Sequence, residues 1–247
     1  MTDLRRIAAA LALALALAGC LSPTASLILS LIPEGTFPTL LNNMKGVSEP
    51  NREKLAALEQ KGDWEGVARF AHENLAIDPA NADWYVVAGF AYAQMKQFDR
   101  AAAQFQRAVQ LSPDDIAAWN LLAQSQRAMG QPERAIRTLD GALRINQDSP
   151  VTYFLLGESF RDLKRPERAV GFYEQALQRN PQFPEAVFGA GVAYAQLGRR
   201  MEWEIAVQRL RKLSPPLAEQ LASLAPRSAP TTVGGVPDLP TERLSPR

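Results

Sequence analysis

Cys20 is the one thiol among 247 residues, and His72 the one histidine. A thiolate can attack an electrophile, bind a metal or join a second thiol. No second cysteine exists for a disulfide, and one histidine with one cysteine is too few donors for a zinc site. His72 as a general base would need a positioned partner, so it reads as a solvated or packed helix residue. Glu158 and Asp162 lie four apart and could share a helix face, but Arg161 stands between them. A solvated charged face is the expected reading. No glycine loop of the phosphate-cradling kind is present. The sequence therefore predicts no catalytic residue, no metal and no cofactor.

The residues ahead of Cys20 give it a context. Arg5 and Arg6 give a positive start, and Ile7 to Ala18 are twelve uninterrupted apolar residues, the length of a secretory signal core and short of the roughly 20 needed to span a bilayer. Leu17-Ala18-Gly19-Cys20 resembles the lipobox of bacterial lipoproteins. That resemblance implies removal of a signal peptide at 1–19, a diacylglycerol on the Cys20 sulfur and an acylated new amine. Three acyl chains, at about 0.8 kcal/mol per buried CH₂, would hold a protein almost permanently. The alternative is an ordinary signal peptide with an incidental cysteine. Leu21 stands where inner-membrane lipoproteins commonly carry Asp, which by resemblance favours the outer membrane, facing the periplasm.

Loss of 1–19 takes Asp3, Arg5 and Arg6 from totals of 26 acidic and 27 basic residues, leaving 25 of each. A neutral chain lacks the basic excess that a phosphate backbone demands, so nucleic acid is not an expected partner. Hydrophobic residues make up 47%, enough for a substantial core.

That core repeats. Pro79 and Pro113 are 34 apart, as are Pro181 and Pro215, with Gln147 between them in phase. Ala101, Ala135 and Ala169 keep the interval, as do Ala108, Ala142 and Ala176. Gly89, Gly157 and Gly191 fall in step, with Tyr85, Trp119 and Tyr153 in one aromatic phase and Tyr92, Phe160 and Tyr194 in another. A period of this length signals stacked helical pairs.

The clearest unit, VTYFLLGESFRDLKRPERAVGFYEQALQRNP, resembles a tetratricopeptide repeat through Tyr153, Leu156, Gly157, Phe160, Ala169, Tyr173, Ala176 and Pro181. The register is 82–115, 116–149, 150–183 and 184–217. A degenerate unit at 48–81 departs at Asn51 and Asn74. The resemblance implies an all-α, right-handed superhelical solenoid of helix-turn-helix pairs. Small residues such as Gly157 and Ala169 are expected to let paired backbones approach. Gly62, Gly130 and Gly198 fall where a first helix ends and positive φ is needed, and the prolines end second helices. Gln126 replaces an aromatic; it needs partners if buried, or it leans into the groove. Gln147 replaces a proline, with Pro150 three residues late.

Residues 217–225 read as a capping helix, and 226–247, rich in proline and small polar residues, as a disordered tail. Residues 20–47 form a tether too apolar for a plain linker. They are expected to dock on the first repeat, with the bilayer surface as the alternative.

In tetratricopeptide arrays the first helix of each pair lines a concave groove. Carried over by resemblance, that face comprises Val86, Phe90 and Gln94, then Asn120, Gln124 and Arg127, then Phe154, Glu158 and Arg161, and lastly Phe188, Val192 and Gln196. Amide and guanidinium groups suit peptide carbonyls, and Arg127 or Arg161 a carboxylate. The phenylalanines supply either apolar pockets or packing between helices. The lysines of the two-carboxylate clamp are absent. The expected function is a membrane-anchored scaffold that binds a protein or peptide partner in envelope assembly, such as pilus biogenesis, outer-membrane assembly or cell-wall machinery. An envelope enzyme acting through the groove carboxylates and a self-associating homo-oligomeric array are the alternatives.

Overall fold

The computed structural model describes residues 36–226; the lipobox with Cys20, the signal segment 1–19 and residues 227–247 of the tail lie outside the described residues. Twelve helices make up the described part, with no strand among them: α1 Thr36–Asn43, α2 Glu49–Gln60, α3 Trp64–Ile77, α4 Ala82–Gln94, α5 Phe98–Leu111, α6 Ile116–Ala128, α7 Pro132–Ile145, α8 Pro150–Asp162, α9 Pro166–Arg179, α10 Pro184–Gln196, α11 Arg200–Leu213 and α12 Pro215–Ala222. From α2 onward the pairs stack as an all-α solenoid, each helix packed on the next in the chain.

One terminator is used five times. The first helix of each pair ends in a residue at positive φ: Gly62, Lys96, Gly130, Lys164 and Gly198, at 67, 60, 71, 57 and 70°. The following N–H then donates back five residues: Asp63 to Leu58 O, Gln97 to Tyr92 O, Gln131 to Gln126 O, Arg165 to Phe160 O and Arg199 to Tyr194 O, at 2.9–3.0 Å. This is the Schellman arrangement, which satisfies the last carbonyls of a helix. Two of the five positions carry lysine, which has no glycine-like freedom there.

Starts are equally local. Asp115 accepts from Ala117 N and Ala118 N, Ser149 from Thr152 N, and Asn81 from Asp83 N, relieving donors that have no partner within the helix. Pro132, Pro150, Pro166, Pro184 and Pro215 open helices, where the missing N–H costs nothing. Pro150 therefore begins α8, while the carbonyl of Gln147 accepts from Arg179 Nε at 3.0 Å.

The small residues of the repeat serve rings. A Cβ on Gly157 would stand 2.6 Å from Tyr173 Cε1, one on Gly89 2.7 Å from Phe105 Cε1, and one on Gly141 2.8 Å from Trp119 Cζ3. What approaches Gly157 is the neighbouring helix's aromatic side chain, a ring seated in the glycine notch. Tyr173 is fully buried there.

The ends differ from the middle. At the N-terminal end Phe37, Leu41, Met44 and Val47 join Leu55, Val67 and Ala71 in one core cluster. The two departures of the degenerate unit meet each other, Asn51 Nδ2 donating to Asn74 Oδ1 at 3.4 Å. At the C-terminal end Ser214 closes α11 and opens α12, and Leu221 seals the stack over Gly191.

Candidate peptide-binding groove

The twelve residues assigned to the groove occupy α4, α6, α8 and α10, the first helices of four successive pairs. Their surroundings divide the face into three compartments.

In the first, Val86 and Phe90 are each 1% exposed. The ring of Phe37, from α1, lies 4.9 Å from that of Phe90 and 5.5 Å from that of Trp64. The chain's own N-terminal segment thus covers this compartment, leaving Gln94 half-buried at its edge.

The second is a buried polar network that ties α6 to α8. Arg127 Nη2 donates to Glu158 Oε2 at 3.1 Å and its Nε to Asp162 Oδ2 at 2.8 Å; Arg161 Nη2 donates to Glu158 Oε2 and Tyr173 Oη to Glu158 Oε1, both at 2.5 Å. Arg127 and Glu158 are 4% and 3% exposed. The expected solvated charged face is corrected: Glu158 is an interior residue whose charge is matched from the preceding repeat. Burial pushes its carboxyl upward, but Arg161 and Arg127 outweigh burial and hold it below the usual carboxylate value. Burial, reinforced by the Glu158 charge, pushes the Tyr173 hydroxyl well above its ordinary range. The carboxylate that Arg127 and Arg161 were expected to take from a ligand is supplied by Glu158 and Asp162. Beside them Asn120 accepts from the Thr152 hydroxyl at 2.9 Å, and Gln124 is half-buried. Gln126 is buried and accepts from the Thr138 hydroxyl at 2.8 Å, so the alternative in which it leans into the groove is discarded.

Phe154 packs against the rings of Tyr173 and Phe183, at 6.0 and 5.2 Å, and Phe188 sits in a cluster with Val187, Leu210 and Leu221. With Phe90 under Phe37, all three phenylalanines are engaged in packing.

The third compartment is open. Val192 and Gln196, from α10, line a cavity of about 600 Å³ with Ala195, Gly198, Ser223, Leu224 and Ala225. Leu224 is 47% exposed at its wall, in the same lining as the Gln196 amide. Sequence reasoning assigned Leu224 to a cap and missed its place here; the signal was the in-phase Pro215, which makes α12 the start of another first helix.

Among the described residues no group of three or more His, Cys, Asp or Glu side chains is arranged to hold a metal, and no helix is long and apolar enough to cross a membrane. His72 is exposed and its Nε2 lies 3.0 Å from Tyr92 Oη.

The fold is a helical-repeat solenoid. Two family models described as tetratricopeptide repeat match residues 92–155 and 154–200. No curated protein matches the chain. Among solved structures, MamA is 24% identical with a TM-score of 0.55, over 68% of this chain and 95% of that one. YrrB, a tetratricopeptide protein with an unusual peptide-binding site, is 20% identical with a TM-score of 0.54, over 76% and 97%. TTC0263, a thermophilic tetratricopeptide protein of Thermus thermophilus, is 17% identical with a TM-score of 0.58, over 70% and 95%. These likenesses speak for the fold.

Proposed function

We propose that this chain is a non-catalytic, lipid-anchored envelope scaffold that holds a protein or peptide partner at the C-terminal end of its concave face. The observation carrying this reading is the cavity beside Val192, Gln196 and Leu224. The rest of the groove lining is largely covered or paired within the chain, so this is where a partner finds unsatisfied surface. The peptide-binding site of YrrB, on the same fold, supports the choice of ligand class. Leu17-Ala18-Gly19-Cys20 supports the anchor, and Leu21 the outer membrane.

Crosslinking in intact cells tests the cavity. Val192→Glu with Leu224→Glu should lower capture of the crosslinked partner at least tenfold while helical content is unchanged; undiminished capture moves the site. Labelled palmitate tests the anchor: it should enter the wild-type chain and not Cys20→Ala.

Self-association is the second reading, favoured by Met201 and Ile205, which are 75% and 64% exposed one turn apart on α11. It requires oligomers that grow with concentration in sedimentation and vanish in Met201→Lys with Ile205→Lys.

A further inference from the structure

α1 lies ahead of the first 34-residue unit, yet it is seated on residues of the groove face. Phe37, Leu41 and Met44, at i, i+4 and i+7, face inward at 1%, 2% and 5% exposure, whereas Pro38, Asn42, Asn43 and Lys45 face outward and are exposed. Their seat includes Phe90 and Val86, the positions at which the next unit carries Gln124 and Asn120. Val86 and Phe90 thus make this compartment apolar where the next unit is polar, matching the apolar stripe of α1. Polar ties hold the residues after the helix: Gly46 N–H donates to Asp83 Oδ2 at 2.6 Å, Asn81 Nδ2 donates to Gly46 O at 2.9 Å, and Arg52 donates to Met44 O. An eight-residue helix has little stability of its own, so α1 depends on this seat.

We propose that α1 is an in-cis ligand of this compartment. The compartment accepts in trans a partner's amphipathic helix with an aromatic residue at i and aliphatic residues at i+4 and i+7, and α1 is its built-in competitor. The proposal deepens the reading of the concave face as a protein-binding surface by naming the partner's chemistry at the other end. A site occupied in cis has its apparent affinity lowered by the fraction of time it is closed. Weakening α1 must therefore strengthen binding in trans.

The test uses the full chain with Cys20→Ala and a fluorescein-labelled peptide of residues 34–47, EGTFPTLLNNMKGV. Phe37→Ala with Leu41→Ala should raise the peptide's affinity at least tenfold over the parent. Adding Phe90→Gln, the residue type the next unit tolerates in phase, should return it to the parent's level. Equal affinity in parent and double variant, or binding to neither, overturns the proposal and leaves α1 a fixed end cap. Hydrogen exchange on the parent guards against a misfolded variant. Amides of 39–43 should exchange at least 100-fold faster than those of α4; equal protection overturns the proposal. The capture assay at Val192 and Leu224 reads the opposite end of the face, so the two readings fail separately.

Discussion

Arg127 and Glu158, 31 residues apart in the chain, meet at 3.1 Å inside the stack with their side chains 1% and 3% exposed. Each belongs to a different repeat, so the pair fixes how two units sit together. Removing Glu158 leaves Arg127 and Arg161 with Asp162 alone, one uncompensated positive charge in a buried network. Glu158→Gln is expected to cost roughly 3–5 kcal/mol in urea unfolding. A cycle with Arg127→Met should return a favourable coupling of roughly 1–3 kcal/mol. Additive single effects would show the contact to be energetically idle. Arg127 Nη1, Arg161 Nε and Asp162 Oδ1 are buried without partners, so the network fixes geometry at a cost in stability.

The same network sets a pH window. Glu158 titrates below its ordinary 4.5 when folded, so the unfolded chain binds the proton more readily. Its contribution is present above 4.5 and is lost as pH falls through the folded value. Tyr173 titrates well above its ordinary 10.0; its contribution is complete below 10 and is lost as pH rises toward the folded value. Tyr194, pushed up to about 12 by burial and by Glu174, adds to the alkaline loss. Melting temperature should therefore be level between these limits and fall on both sides. Tyr173→Phe should shrink the alkaline fall without abolishing it, and an unchanged alkaline limb would contradict the assignment.

Lys96 and Lys164 hold the same left-handed conformation as three glycines at the same repeat position. A side chain there costs roughly 1–2 kcal/mol, against which glycine brings a larger unfolded-state entropy worth about 0.4–1 kcal/mol. Lys96→Gly and Lys164→Gly should each raise stability by roughly 0.5–1 kcal/mol, and Gly130→Ala should lower it. Differential scanning calorimetry reads all three.

Two further glycines separate ring notch from helix entropy. A methyl on Gly157 would collide with Tyr173, whereas one on Gly171 would meet nothing within 4 Å. Gly157→Ala is expected to destabilise by roughly 1–3 kcal/mol and Gly171→Ala to stabilise by roughly 0.5–1 kcal/mol. The same substitution on neighbouring helices thus has opposite signs.

The fold was readable because a repeat prints each structural demand several times: the 34-residue interval of glycine, alanine and proline marks helix pairs before any coordinate is known. Demands met once were not readable. α1 carries Phe37, Leu41 and Met44 at helical spacing, but it belongs to no unit, and nothing local says that Phe90 is its seat. Lys96 and Lys164 lack the glycine that announces a left-handed turn. Glu158 looked like a surface charge because Arg161 is its near neighbour, whereas the residue that completes its burial, Arg127, sits one repeat away. The groove positions were located by phase; whether a given side chain there faces a partner or its own chain depends on neighbours in three dimensions.

Ser214 is the whole junction between α11 and α12: its N–H donates to Leu210 O at 2.7 Å, while its carbonyl accepts from Ala218 N at 3.1 Å. A hinge needs slack, and one residue engaged on both sides provides none. The final helix is therefore an abutment, unable to swing open like a door.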